Sequence, residues 1–271
     1  MWAVVALAGC TATGTDGPGT DDTAAAADTG TAGQDDTAGA AAGDTGDTAS
    51  AAELASLSGV VVTPDDAPAE GVFVTLCHGV CRYAETGADG TFSFEAEPQA
   101  YALHFTQLGK DAPWADILVA VDLAPGETRD IAEPFPMAEL ASADEQTAAG
   151  EVQVADGLWL TLDPDVFELP FGTDVLAPGA GVPSSFPPEL PADDVLAVWY
   201  LDPFDAHSDP GFSLRATNSW GLEPGEEAVL YVSNYVDYAW IDGGTVTVSD
   251  DGTELTGGDL PVLSTVVLAL D

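Results

Sequence analysis

From Leu54 onward the chain advances in short apolar runs that repeat with a period of two and are cut by turn-forming pairs. Val72, Val74 and Leu76 alternate, as do Phe92 and Phe94, and again Tyr101, Leu103 and Phe105. Side chains two apart share one face of an extended strand, so this spacing buries one face and turns the other outward. No helical repeat of comparable length is present. The expected fold class is all-β, as two small antiparallel β-sandwich modules.

For the first module, 54–135, the pattern predicts strands at 57–63, 71–77, 80–86, 90–95, 99–105, 116–122 and 127–133. Asp89-Gly90 is a hairpin turn signal between Tyr83–Thr86 and Thr91–Phe94, and Asp65-Asp66 and Pro125-Gly126 mark further reversals. Residues 136–149, rich in Ala, Glu and Asp, read as a connection. The second module, 150–271, has apolar runs at 151–154, 158–162, 195–201, 212–217, 227–233, 244–249 and 262–270. Val195–Leu201 is apolar on both phases, the pattern of a strand buried on both faces. The Pro- and Gly-rich stretch 163–194 reads as a long loop with one or two short strands near Leu169 and Val175.

Ahead of these modules lies a low-complexity tether. Ala, Thr, Gly and Asp fill 39 of the 42 positions from 11 to 52, the others being Pro18, Gln34 and Ser50. Without large apolar side chains, ordering such a backbone gains almost no burial to offset its entropy, and eight aspartates add repulsion. A disordered acidic linker over 10–53 is expected, spanning roughly 35 Å. The apolar run at 2–9 is too short to cross a bilayer, which takes about 20 residues, and matches the apolar part of a signal peptide over 1–9. Leu7-Ala8-Gly9-Cys10 resembles the lipobox of bacterial lipoproteins. That resemblance implies cleavage before Cys10, acylation of Cys10 and attachment to membrane lipid. Thr11 after the cysteine implies the outer membrane of a cell with two membranes.

Charge narrows the partners. Asp and Glu number 47 against four basic residues, Arg82, Lys110, Arg129 and Arg215, for a net charge of -43. No basic patch can form to neutralise a phosphate backbone or follow an anionic membrane surface, so nucleic acid is excluded as a partner. The acidic surface keeps such a chain soluble, and salt screening relieves its self-repulsion.

Four segments of the first module carry a family resemblance: Ser58-Gly59-Val60-Val61, Gly71-Val72-Phe73-Val74-Thr75-Leu76, Glu85 through Phe94, and Gln99-Ala100-Tyr101-Ala102-Leu103. Together they resemble the carboxypeptidase regulatory-like domain, a transthyretin-like Greek-key sandwich. The Thr-x-x-Asp-Gly-x-Phe-x-Phe core at 86–94 is its most specific part, whereas Gln99-Ala100 departs from the family's usual turn. The resemblance implies a scaffold or adhesive accessory module without catalysis of its own. In the second module, Leu169–Thr173, Asp202-Pro203-Phe204 and Gly221–Gly225 faintly resemble ZU5-type β modules, and no role is carried over from them.

Cys77 and Cys81 lie at the end of one predicted strand and the start of the next. Their short connection can bring the two Cα atoms to disulfide distance, and export favours oxidation. His78 between them invites a metal or redox reading. A structural metal site wants four ligands, however, and a redox dithiol is normally Cys-x-x-Cys at a helix start.

Signatures of catalysis are sparse. The chain has no Gly-x-Ser-x-Gly elbow, no His-Glu-x-x-His and no phosphate loop. Of three histidines, His104 alternates out of phase with Leu103 and Phe105 and is expected to face solvent. Asp202, Asp205, His207 and Asp209 are the densest polar cluster. The last three are weak candidates for a metal, since clustered aspartates are expected by chance in so acidic a chain. No enzyme and no cofactor are expected. Aromatics concentrate in the second module; Trp199 is assigned to the core, and Tyr235, Tyr238 and Trp240, in the turn-like stretch 234–243, are candidate ligand-facing aromatics. The expectation is a lipid-anchored envelope protein with a structural or interaction role toward an envelope protein or glycan, the alternative being a carbohydrate-binding surface module.

Overall fold

In the computed structural model, which describes residues 53–108, 113–142, 148–170 and 176–270, the alternating runs become strands on both sides of a phenylalanine-rich core. The expected signal segment, Cys10 and the linker up to residue 52 lie outside the described residues. The first lobe contains β1 (Ala55–Val62), β2 (Phe73–His78), β3 (Val80–Glu85), β4 (Thr91–Ala96), β5 (Ala100–Thr106), β6 (Ile117–Asp122), β7 (Thr128–Asp130) and β8 (Phe135–Pro136). One sheet runs β4-β1-β7, with β8 pairing the far end of β1, and the facing sheet runs β3-β2-β5-β6. Leu57 and Val61 of β1 and Phe92 and Phe94 of β4 meet Val74, Leu76, Leu103, Phe105, Ile117 and Val119 between the sheets. Each such side chain, once buried, contributes about 1.5–3 kcal/mol. Gly59 lets the Phe92 ring lie flat on β1: a Cβ there would come within 2.9 Å of it.

Two local expectations are corrected. The Asp89-Gly90 turn forms, with Asp89 accepting from the backbone and hydroxyl of Thr91, but it does not close a hairpin. The strand before it, β3, pairs with β2, and the strand after it, β4, pairs with β1 in the other sheet. A turn signal fixes a reversal, not a partner. Gly90 (φ +74°) is pressed onto β1 so closely that a Cβ would lie 2.4 Å from the Val61 carbonyl oxygen, which only glycine permits. The lobe is also not wholly antiparallel. After β6 the chain crosses over, and β7 and β8 run parallel to β1.

The second lobe contains β9 (Leu140–Ser142), β10 (Gly150–Ala155), β11 (Leu158–Leu162), β12 (Phe167–Glu168), β13 (Gly179–Gly181), β14 (Val195–Asp202), β15 (Ala206–Thr217), β16 (Glu227–Asn234), β17 (Ala239–Val248), β18 (Glu254–Leu263) and β19 (Thr265–Ala269). Instead of two facing layers they form a single sheet, β10-β11-β15-β18-β17-β16-β19-β14-β13-β9, with β12 beside β15. Its ends approach each other, so the sheet is nearly closed into a barrel around Leu160, Trp199, Phe212, Leu214, Leu230 and Leu268. The apolar run at 262–270 is two strands meeting at Ser264.

Double-phase burial explains how the lobes join. On β14 and β19, Trp199, Leu201, Val266 and Leu268 point into the barrel, while Val198, Tyr200, Val267 and Ala269 belong to the first lobe's core. Met137 and Ala138, in the expected connection, are buried there as well. Across the same seam the backbone N–H of Leu118 donates to Thr265 Oγ1 (2.8 Å). The described residues from 53 to 270 belong to one compact unit.

Candidate functional site

The Cys77–Cys81 disulfide is formed, across the β2–β3 pair. Its hairpin is clasped by the β16–β17 turn. The Tyr235 hydroxyl lies against both sulfur atoms, and Gly79 N–H donates to the Tyr238 hydroxyl (2.7 Å), whose ring lies 4.5 Å from that of His78. Tyr238 has φ +54°, a conformation unfavourable to a bulky residue, and it turns the phenol back onto the hairpin. Asn234 secures the turn by accepting from the N–H groups of Val236 and Asp237. Trp240 donates its Nε1–H to the Glu189 carbonyl (3.0 Å) and packs on the first lobe's core. All three predicted aromatics are half-buried, with their polar atoms bonded inside the fold.

His104 does not face solvent. Its out-of-phase position puts it on the outer face of the β3-β2-β5-β6 sheet, but the second lobe covers that face. Its ring stacks on Phe204 at 4.3 Å and 9°, and its Nε2 lies 3.3 Å from Asp116. Beside it, burial pushes the Asp202 carboxyl up to about 6, helped by the negative charge of Asp116 and opposed by a hydrogen bond from Phe204 N–H. His207 Nε2 lies 3.2 Å from Asp205 Oδ1, while Asp209 is exposed on β15. Among the described residues, no three His, Cys, Asp or Glu side chains converge as a metal site.

A cleft with aromatic lining lies elsewhere. The β10–β11 turn (Asp156, Gly157), the start of β14, the loop after β15 and the segment around Val182–Phe186 converge on a cleft of about 520 Å³. Trp199 and Trp220 meet edge to face in it, ring centroids 6.3 Å apart at 75°. Trp220 is anchored by donating Nε1–H to the Leu196 carbonyl (2.7 Å). Its loop is braced by Asn218, whose Nδ2 donates to the carbonyls of Leu222 and Gly252. Phe186 (48% exposed) and Val182 (56% exposed) extend the apolar wall, and Asp156, Thr217 and Ser219 supply a polar rim. The volume lies in the usual range for small-ligand sites, and the aromatic surface is held in place before any ligand arrives.

Trp199 lies in the core as expected, 5% exposed, and contributes little surface to the cleft it borders. Trp220 belongs to the aromatics concentrated in the second module, whereas Phe186 carries no local signal. They lie 34 residues apart, in segments whose apposition only the folded sheet defines.

No family model matches the chain, and no curated protein matches it. Solved structures give distant likenesses. A DUF3823 family protein from Bacteroides ovatus is 11% identical, covering 80% of this chain and 79% of that one, with a TM-score of 0.25. A candidate carbohydrate-binding protein from Bacteroides uniformis is 9% identical, covering 81% and 80%, with a TM-score of 0.25. The major pilin subunit of Bacillus cereus is 8% identical, covering 80% and 57%, with a TM-score of 0.23. At these TM-scores the likenesses carry no argument about function.

Proposed function

We propose that this chain is an exported, lipid-anchored protein of the cell envelope whose folded part is a non-catalytic carbohydrate-binding module. The observation that carries the binding half is the braced cleft that exposes Trp220 and Phe186. Trp220 and Phe186 offer apolar ring surface on which the C–H face of a sugar can stack, and the rim offers Asp156, Thr217 and Ser219 to the hydroxyls. A carboxylate-rich surface with almost no cations suits uncharged ligands and repels anionic ones.

The anchoring half rests on the Leu7-Ala8-Gly9-Cys10 motif and the linker that follows. The lipid on Cys10 would hold the chain at the membrane, and the two β modules would stand off from it. In this reading the first module keeps the scaffold role that its resemblance to carboxypeptidase regulatory-like domains implies. It supports the second module through the shared core.

The test is titration of the full chain against a panel of soluble neutral oligosaccharides by isothermal calorimetry, with Trp220→Ala alongside. The expected result is saturable binding to at least one sugar by the wild type, weakened on the order of tenfold in the variant. No binding across the panel, or equal binding by the two proteins, overturns the carbohydrate assignment. Intact-mass measurement of protein from native membranes tests the anchor: a chain beginning at Cys10 and carrying acyl groups is expected, and an unmodified chain overturns it.

A further inference from the structure

A second cleft also has Phe186 in its lining. It encloses about 380 Å³ and is bounded by Asp130, Ile131, Ala132 and Glu133 of the first lobe and by Pro187-Pro188 of the second. Phe186 lines both clefts, so a single half-exposed ring is the wall they share. The loop that carries it is restrained. Pro187 and Pro188 restrict the backbone after it, and Arg129 binds Glu189 (3.1 Å) while donating to the Asp122 carbonyl (2.8 Å), which ties the Pro-rich loop to the first lobe. With Arg129 engaged by Glu189 and Glu127, the polar groups left to a ligand on this side are carboxylates, which accept hydrogen bonds and repel negative charge.

From this arrangement we infer that the two clefts are one binding groove for a linear, uncharged glycan chain, crossing the Phe186 ring and contacting both lobes. The inference rests on the carbohydrate reading above and deepens it. It assigns an internal stretch of chain as the ligand, not a single terminal sugar, and it excludes uronic-acid polymers. Each additional sugar that reaches the second cleft adds contacts without a second loss of translational freedom, so affinity rises with chain length until both clefts are filled.

The experiment titrates the full chain with neutral gluco-, manno- and xylo-oligosaccharides of two to six units, and with oligogalacturonates of the same lengths. Within a neutral series that binds, affinity is expected to rise on the order of tenfold or more from disaccharide to hexasaccharide and then level off. Ala132→Trp, an exposed substitution that fills the second cleft, is expected to abolish this rise, so that the hexasaccharide binds no better than the disaccharide. Binding of a neutral series with no dependence on length overturns the two-cleft groove while leaving the sugar site standing. Undiminished length dependence in Ala132→Trp, or equal affinity for oligogalacturonates, also overturns it. Absence of binding by every series removes the carbohydrate reading on which the inference rests.

Discussion

Tyr200, on a strand of the barrel, donates its hydroxyl to the carbonyl oxygen of Pro136, on the last strand of the first lobe, at 3.1 Å. Both partners are buried, and the bond sits among Val198, Val267, Phe135 and Met137, which come from both lobes. Burial pushes the Tyr200 phenol well above its ordinary pKa, so it stays protonated and remains a donor. Tyr200→Phe leaves the Pro136 carbonyl without this partner and is expected to cost about 1–2 kcal/mol. Because the seam is shared, urea unfolding followed by circular dichroism and by tryptophan fluorescence should give coincident transitions in both proteins. Separate transitions would mean that the lobes unfold independently.

Asp202 predicts an unusual pH response. Its carboxyl titrates near 6 in the folded protein and in the ordinary carboxylate range when unfolded. Between about pH 4 and pH 6 the folded state therefore holds the extra proton, and stability from this group falls as pH rises through that window. Below it the penalty is absent; above it the penalty is complete. Asp202→Asn should be more stable than wild type above pH 6, by on the order of 2 kcal/mol, with the difference vanishing toward pH 4. Denaturant midpoints at matched pH test this, and a difference that stays constant with pH would show that the carboxyl is not the cause.

The Cys77–Cys81 bond closes a loop with a sequence separation of four, so the chain entropy it removes from the unfolded state corresponds to about 2 kcal/mol. Replacing both cysteines with alanine should cost about that much. It should also speed amide exchange in the β2–β3 hairpin more than in the barrel interior. Uniform acceleration across the molecule would instead assign the bond a global role.

What could be read in advance follows from what a period of two encodes. Alternation at Val72, Val74 and Leu76 reports that one face is buried, and that face is the first lobe's core. It does not report what covers the opposite face, which is why His104 looked solvent-facing although Phe204, 100 residues later, stacks on it. Doubled apolar phases at Val195–Leu201 did reveal burial on both sides, but a second lobe and a second sheet layer leave the same trace. The Asp89-Gly90 turn was legible, whereas its joining of two sheets depends on the long-range pairing of β1 with β4. The cleft was the least legible part: Trp220, Phe186 and Asp156 come from three separate connections, and nothing local in any of them marks a site.

Two sets of aromatics in the second lobe can now be told apart by mutation. Trp220 and Phe186 present ring surface to an open cleft, whereas Tyr235 and Tyr238 direct their hydroxyls onto the disulfide hairpin. Trp220→Ala removes a stacking surface and one hydrogen bond to Leu196, so it should lower affinity for a bound glycan on the order of tenfold with a circular dichroism spectrum like that of the wild type. Tyr238→Ala removes the partner of Gly79 N–H and the ring against His78, so it should lower the unfolding midpoint and leave glycan affinity unchanged. Paired calorimetric titrations and melts of the two variants decide between the surfaces. The reverse pattern, with affinity lost in Tyr238→Ala and kept in Trp220→Ala, would move the ligand face from the cleft to the 234–243 turn.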